Sequence, residues 1–500
     1  MAKYLYGAAV QGIQSFIFQT NKLREIVGAS ELVEEICTSK FEDIVKRKCD
    51  KNNPNSILHA AGNIKYLFDN KEECEKVVRV FPKIISEFAP GVTVSQAVVA
   101  MEGNYAEFKD AVNELEKRLR IQRNKPMRSV TLGLMGIERS RQTGLPVVLQ
   151  KGNDHYDAGT RAKLFEDVAG KSKRTTKTLC KKAFNLPEIS DKQIAYDIED
   201  ITPNNDWIAI IHADGNGLGQ VVQTIGTNEK LFKEFSESLD EATKKAAVKA
   251  YDSVKGRFDE TKFIPIRPIV LGGDDFTVIC RADMALDYVT EFIRQFENET
   301  CFVSEYEKLE FGYLTACAGI AYIKSSFPFY YGYELAEALC SRAKKDAKAD
   351  LKESELAKSC LMFHKVQDSF TEDWDAIVKR ELTPQDNISF EFGPYYINEA
   401  KGVRWLVKDL KEKADLLGSK EGNAVRSHLR QWMSLLHDNP EMAKQKLLRL
   451  KSMTVMKSYV DELTTDSKRK VGDKEVTVYP VYDILNIHTI NTQITKEDKQ

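Results

Sequence analysis

No stretch of this 500-residue chain is apolar for long enough to span a bilayer. Its start, Met1-Ala2-Lys3-Tyr4, leads into a strand-like segment instead of the charged and apolar regions of a secretory leader. No membrane association is expected, and a cytoplasmic location is. Cysteine is sparse and unpatterned: nine residues, an odd number, with no Cys-x-x-Cys pair. That excludes a disulfide framework and a zinc knuckle and suits a reducing compartment. An excess of one charge is also missing, since 73 Lys and Arg face 75 Asp and Glu; a protein that coats nucleic acid without specificity is not expected. No Ser-His-Asp or Cys-His arrangement stands out. What the length does require is more than one core, roughly two to four domains.

What is present is a pair of adjacent acids at a turn. Gly272-Gly273-Asp274-Asp275 lies between the apolar runs 263–271 and 276–280, which is the pattern of a β-hairpin. The glycines permit positive φ, and neighbouring carboxylates between buried strands repel unless a cation joins them. A further acid follows the apolar run 207–213: Asp214 precedes Gly215-Asn216-Gly217-Leu218-Gly219 and a helical stretch. The interval from Asp214 to Asp274 accommodates one helical crossover and a strand, so the acids are expected on neighbouring strands, together holding two divalent ions.

The pattern around these acids is strand (207–213), helix (217–254), strand (263–271), strand (276–282), helix (283–297), strand (314–323), helix (331–348). This is the βαββαβ order of a ferredoxin-like sheet with one added helix. The N-terminal part repeats it: strand 5–10, helical stretch 12–47, strands 56–60 and 64–68, helix 71–88, strand 92–100, helix 104–121. Superposing the copies sets Gln11-Gly12 on Asp214-Gly215, and Ala60-Ala61-Gly62-Asn63 on the acidic turn, so the first copy is expected to be degenerate. The expected class is α+β: two ferredoxin-like domains (1–124 and 206–365), a small linker domain (125–205) and a helical C-terminal domain (366–500). The linker carries a strand-like 130–134 and a basic cluster (Lys171, Lys173, Arg174, Lys177, Lys181, Lys182), read as a solvated loop in preference to a phosphate-backbone site. In the C-terminal part, 401–418, 422–437 and 440–463 have helical spacing, with Asn439-Pro440 at a junction.

Two ions held by Asp214 and Asp274, with Asp275 auxiliary, suit nucleotidyl transfer: one sharpens a hydroxyl nucleophile and the other steadies pyrophosphate. Magnesium or manganese fits because such ions accept a few carboxylates and keep positions for phosphate oxygens. Gly215, Asn216, Gly217 and Gly219, between strand and helix, can cradle a triphosphate, as can Gly272 and Gly273. Dinucleotide binding is the rival, but Gly-x-Gly-x-Gly with an acid in front departs from that fingerprint. Lys344 can reach phosphates or be a surface lysine on a charged helix. His212 reads as packing, and His437-Asp438 as a helix terminus.

These motifs, in order, resemble the large polymerase-cyclase subunit of type III CRISPR effector complexes: the run 6–18 with Gly12, Gly28-Ala29-Ser30-Glu31-Leu32, Ala60-Ala61-Gly62-Asn63, Thr143-Gly144-Leu145-Pro146, Ala213 to Gly219, and Leu271 to Asp275. The resemblance implies two facing palms with ATP between them, and a second palm that joins ATP into cyclic oligoadenylates as an antiviral alarm. It assigns metals to Asp214, Asp274 and Asp275, a nucleotide pocket to Ser30, Gly62 and Asn63, and phosphate contact to Lys344. It also implies effector-subunit partners with guide and target RNA, or self-association if the chain acts alone. Two departures matter. The His-Asp nuclease domain with which many members begin has no counterpart here, so no DNase activity is expected, and the cysteine-containing zinc element between the palms is missing. The alternatives are a silent scaffold subunit and a cyclic dinucleotide synthase that uses GTP or mixed nucleotides.

Overall fold

The computed structural model describes residues 3–497 apart from 51, 61, 126–134, 166–176, 203–205, 226–227, 307–308, 310, 350, 353–354, 369–371, 454–455 and 472–473. The strand expected at 130–134 and the basic residues Lys171, Lys173 and Arg174 lie outside the described residues.

The first sheet is β1 (Lys3–Gln11), β2 (Ser56–Ala60), β3 (Asn63–Phe68) and β4 (Thr93–Met101), ordered β2-β3-β1-β4, with antiparallel neighbours throughout. Helices Lys71–Phe88 and Phe108–Arg123 pack on it. After a small hairpin, β5 (Val147–Lys151) and β6 (Asp154–Asp157), the second sheet is built from β7 (Trp207–Asn216), β8 (Ile266–Gly272), β9 (Asp275–Arg281) and β10 (Thr315–Lys324). Its order, β8-β9-β7-β10, is that of the first sheet. The fold is thus α+β with two ferredoxin-like palms. Apolar residues on both faces bury β7 and β10 along most of their length, leaving Asp214 and Lys324 partly exposed, as expected for strands covered by helices on one side and a neighbouring domain on the other.

The second sheet is wider than its sequence pattern. β11 (Cys360–Lys365) adds in parallel beyond β10, and beyond it runs the two-residue strand Tyr395–Tyr396. The C-terminal part is helical over Val407–Leu416, Lys420–Asp438, Pro440–Met453, Lys457–Thr464 and Val481–Glu497. It also contains a three-stranded sheet of Ile388–Ser389, Ser467–Val471 and Lys474–Val478. Asn439-Pro440 separates two helices as expected, and His437-Asp438 ends one of them. Of the basic cluster, Lys177 pairs with Asp191 at 2.9 Å and Lys182 with Glu34.

A single apolar core runs from the first palm through the linker into the second. The long helix Glu229–Val254 of the second palm touches the first: Lys233 Nζ donates to the Asn53 carbonyl at 2.6 Å, and Phe232 joins a smaller core with Leu5, Leu67 and Phe108. Among the described residues no helix is long and apolar enough to cross a membrane, and all nine cysteines are free thiols.

Candidate active site at the rim of the second palm

Gly272 and Asp275 face each other across the β8–β9 turn, which leaves Gly273 and Asp274 as its two central residues. Gly273 has φ of 61°, which a side chain would strain. Thr243, from the long helix, donates its hydroxyl to the Gly273 carbonyl and pins the turn from outside. Contrary to the strand end expected at residue 213, β7 continues to Asn216, so Asp214 lies inside the strand, directly opposite Asp275. Opposed antiparallel residues share a face, so the two carboxylates project together. Asp274 closes the cluster from the turn, lying so near β7 that a Cβ on Gly215 would sit 2.7 Å from the Asp274 Cβ.

The register corrects the superposition of the two copies. In the first palm Ala60 faces Asn63, and Asn63 faces Ala9; in the second, Gly272 faces Asp275, and Asp275 faces Asp214. Ala9, Gly62 and Asn63 are therefore the counterparts of Asp214, Asp274 and Asp275. Gln11 and Gly12 correspond to Asn216 and Gly217, and both glycines have positive φ, 63° and 87°. The sequence pairing of Gln11 with Asp214 is two residues out. A shift of two keeps side chains on the same face, so alternation alone could not reveal it.

Charge crowding is visible in the acids' protonation. Burial, then Asp214, pushes Asp274 up to about 6. Burial, then Asp214, Asp274 and Glu337, pushes Asp275 up to about 7. One cation answers this crowd: Lys344 Nζ lies 2.5 Å from Asp214 Oδ2 and donates to the Gly215 carbonyl at 2.8 Å. Lys344 is thus turned into the site and is not a free surface lysine. Its helix, Phe329–Lys348, lies flat on β10 because Gly319 offers no side chain; a Cβ there would come 1.9 Å from the Ala336 carbonyl oxygen. Arg342 on that helix is clamped by Glu391 through bonds of 3.0 and 3.1 Å.

His212 is buried beside the acids. Its Nδ1 is 3.1 Å from Thr277 Oγ1 and 3.6 Å from Asp275 Oδ1, and burial lowers its pKa to about 4, which keeps the ring neutral. It packs, as expected from sequence, but packs directly beneath the site. Glu337, missed in the sequence, faces the acids two helical turns before Lys344; the seven-residue spacing from Lys344 was the available signal.

Other expected residues lie elsewhere. The Asn216 amide is turned into the sheet, donating to Thr315 Oγ1 at 3.2 Å and to Cys317 Sγ at 3.3 Å. Gly217 packs near Leu356 and Leu314. Gly219, in the helix Leu218–Ile225, meets open space. Ser30 donates its hydroxyl to the Ile269 carbonyl of β8, a bond between palms. Gly62 holds φ of 80° in the first-palm turn, and Asn63 stands at its end.

Two cavities meet at this rim. One, of about 540 Å³, lies between the palms and is lined by Gln11 to Ser15, Ser30 and Asn63 from the first and by Leu271, Asp275, Tyr333 and Glu337 from the second. The other, of about 530 Å³, contains Asp214, Gly272, Gly273, Asp274 and Asp275 and ends against Leu218, Val222, Phe232, Phe235 and Leu239. Each is of a size that takes a small ligand.

Among the described residues no three His, Cys, Asp or Glu side chains stand close enough to enclose an ion. The donor set nonetheless suits a hard divalent cation. Its atoms are carboxylate oxygens, Asp275 Oδ1 is buried without a hydrogen-bond partner, and the raised pKa of Asp274 and Asp275 marks a crowding of negative charge that a cation would relieve.

Residues 207–352 match the family model described as Cas10/Cmr2, second palm domain. The second palm is thus similar to the second palm domain of Cas10/Cmr2 proteins. The whole chain is similar in fold to solved structures of the Csm1–Csm4 cassette. It aligns with the cassette in complex with cA4 (16% identity, TM-score 0.58) over 98% of this chain and 70% of that one. The complex with cA3 (15%, TM-score 0.56) and that with one ATP (16%, TM-score 0.53) give the same coverage. No curated protein matches. The palm that matches is the one that carries the acids.

Proposed function

We propose that this protein is a metal-dependent nucleotidyltransferase that joins ATP into cyclic oligoadenylates and releases pyrophosphate, as a subunit of a type III CRISPR-like antiviral complex. The observation that carries the proposal is the convergence of Asp214, Asp274 and Asp275 on one rim, with the pKa of Asp274 and Asp275 raised by burial and then by neighbouring carboxylates. A scaffold gains nothing from such a cluster, which costs folding free energy until a cation relieves it.

Asp214 and Asp274, with Asp275, are the residues that would hold two magnesium or manganese ions, which when bound would acidify a ribose hydroxyl and neutralise pyrophosphate charge. Lys344 supplies the fixed positive charge, positioned to pass from Asp214 to a phosphate oxygen. Neutral His212 supports the floor without adding charge. The apolar end at Phe232 and Phe235 offers a face for a base, and Gly272, Gly273 and Gly215 let a triphosphate approach the backbone. Ser30, Gly62 and Asn63 shape the first-palm side for a second nucleotide. Complexes of the Csm1–Csm4 cassette with cA3, cA4 and ATP support the substrate and product, and the cassette itself supports a Csm4-like partner; guide and target RNA belong to the proposal alone.

The test is incubation of the protein, with and without its effector complex and target RNA, with labelled ATP and manganese, followed by mass spectrometry of the products. Cyclic adenylates and pyrophosphate are expected. A GTP-derived product would overturn the base assignment, and no product in the assembled, RNA-triggered complex would leave the scaffold reading.

A further inference from the structure

The two cavities share a wall, and one residue of the first palm organises it. Gln14, Asn63, Asp275 and Glu337 line both cavities. Gln14 stands on the short helix Ile13–Ile17, just after the left-handed Gly12. Its side chain crosses to the second palm, where Nε2 donates to Tyr333 Oη at 2.8 Å and the amide also bonds the Glu337 carboxylate. An ionised carboxylate only accepts, so the nitrogen must face Glu337 and Tyr333. The carbonyl Oε1 is then left to accept a hydroxyl or amino group from a ligand.

What Gln14 holds is connected to the acids. The Tyr333 ring stacks on Phe18 of the first palm (centroids 4.3 Å apart, planes 18°) and meets the His212 ring edge-on at 5.6 Å. His212 in turn touches Asp275 and Thr277. Tyr333 and Glu337 are one turn apart on the helix that presents Lys344. The wall between the cavities is therefore a hydrogen-bonded and stacked unit built from both palms.

We infer that Gln14 is a positioning residue that couples the two cavities, so that a nucleotide bound in the inter-palm cavity sets the wall against which a second nucleotide binds beside the acids. A ligand on either side fixes the same amide, Tyr333 and Glu337. A first ligand that draws this shared wall into its bound arrangement leaves less rearrangement for the second, which binds more tightly. Linkage makes the effect reciprocal. This inference rests on the reading of the site as one for two nucleotides, but it is tested by binding and does not require turnover.

The experiment is a calorimetric titration of the full chain with the magnesium complex of a non-hydrolysable ATP analogue. For the wild type, two molecules per chain and a sigmoidal isotherm are expected, the first tightening the second by about tenfold, within the range usual for coupled sites. Gln14→Ala is expected to bind two molecules with a hyperbolic isotherm. Tyr333→Phe, which keeps the stacked ring and loses only the hydroxyl, should fall between them. Gln14 is exposed to the cavities, so its truncation leaves the core intact. A hyperbolic wild-type isotherm, fewer than two bound molecules, or a sigmoidal Gln14→Ala isotherm overturns the inference. Cooperative binding without any product in the assembled complex would count against the enzymatic reading alone, and product formation with independent binding against the coupling alone.

Discussion

The two palms have the same strand order and the same two-residue turn at the same register, yet only one of them is acidic at its rim. Ala9, Gly62 and Asn63 in the first palm stand where Asp214, Asp274 and Asp275 stand in the second. The comparison separates what the fold needs from what the chemistry needs. Both turns keep a glycine at positive φ, Gly62 at 80° and Gly273 at 61°, because the chain must reverse in two residues. The carboxylates are not needed for reversal, and at the second turn they work against stability. On the proposed reading, a cation would join them and offset that cost.

Removing the acids should erase the difference between the palms. Asp274→Ala with Asp275→Ala is expected to leave the fold intact, as judged by circular dichroism, and to lower product formation from ATP by at least about 10²–10³-fold, the loss usual when a fixed electrostatic group is removed. Changing the corresponding Asn63 to Ala should have a much smaller effect on the same assay. Next in size is Lys344→Ala, which takes away the ammonium next to Asp214. Turnover should fall about 10- to 100-fold, read in the same product assay.

A smaller effect sharpens the electrostatic side of the comparison. Asp275 has a folded-state pKa raised to about 7, so its contribution to stability is present below the ordinary carboxylate range and is lost as pH rises through about 7. Asp275→Asn should therefore match the wild type near pH 4 and, in chelator, unfold about 1–3 °C higher at pH 8. Magnesium should close that gap. No such pH dependence is expected for Asn63→Ala in the first palm. Smallest is the contrast of the turns themselves. Gly62→Ala adds a methyl 2.3 Å from Ile13 Cδ1, whereas Gly273→Ala meets nothing within 4 Å. Both carry the strain of a left-handed residue, about 1–2 kcal/mol. Only the former adds overpacking, of about 1–3 kcal/mol, so thermal unfolding should rank Gly62→Ala as the less stable.

The acidic turn was legible in the sequence because glycines and alternating apolar residues both mark a hairpin, and the repeated element order gave both palms. The strands β2 at 56–60 and the helix at 71–88 fall where their patterns place them. The register between copies was not legible, since matching Gly12 to Gly215 looks as good as matching it to Gly217 until the cross-strand partners are known. The strand β11 and the edge strand Tyr395–Tyr396 escaped for a different reason: short segments are decided by the neighbours they pair with, and little by their own pattern. Glu337 and Gln14 escaped because their roles exist only between domains. Gln14 touches Tyr333, which is far along the chain, and no local signal announces such a contact.

The most direct measurement is anomalous diffraction at the manganese edge from crystals soaked with manganese and a non-hydrolysable ATP analogue. Peaks in contact with Asp214, Asp274 and Asp275, and none at Ala9, Gly62 and Asn63, are the predicted result. Manganese at the first-palm turn, or nucleotide bound with no metal at the second-palm rim, would contradict it.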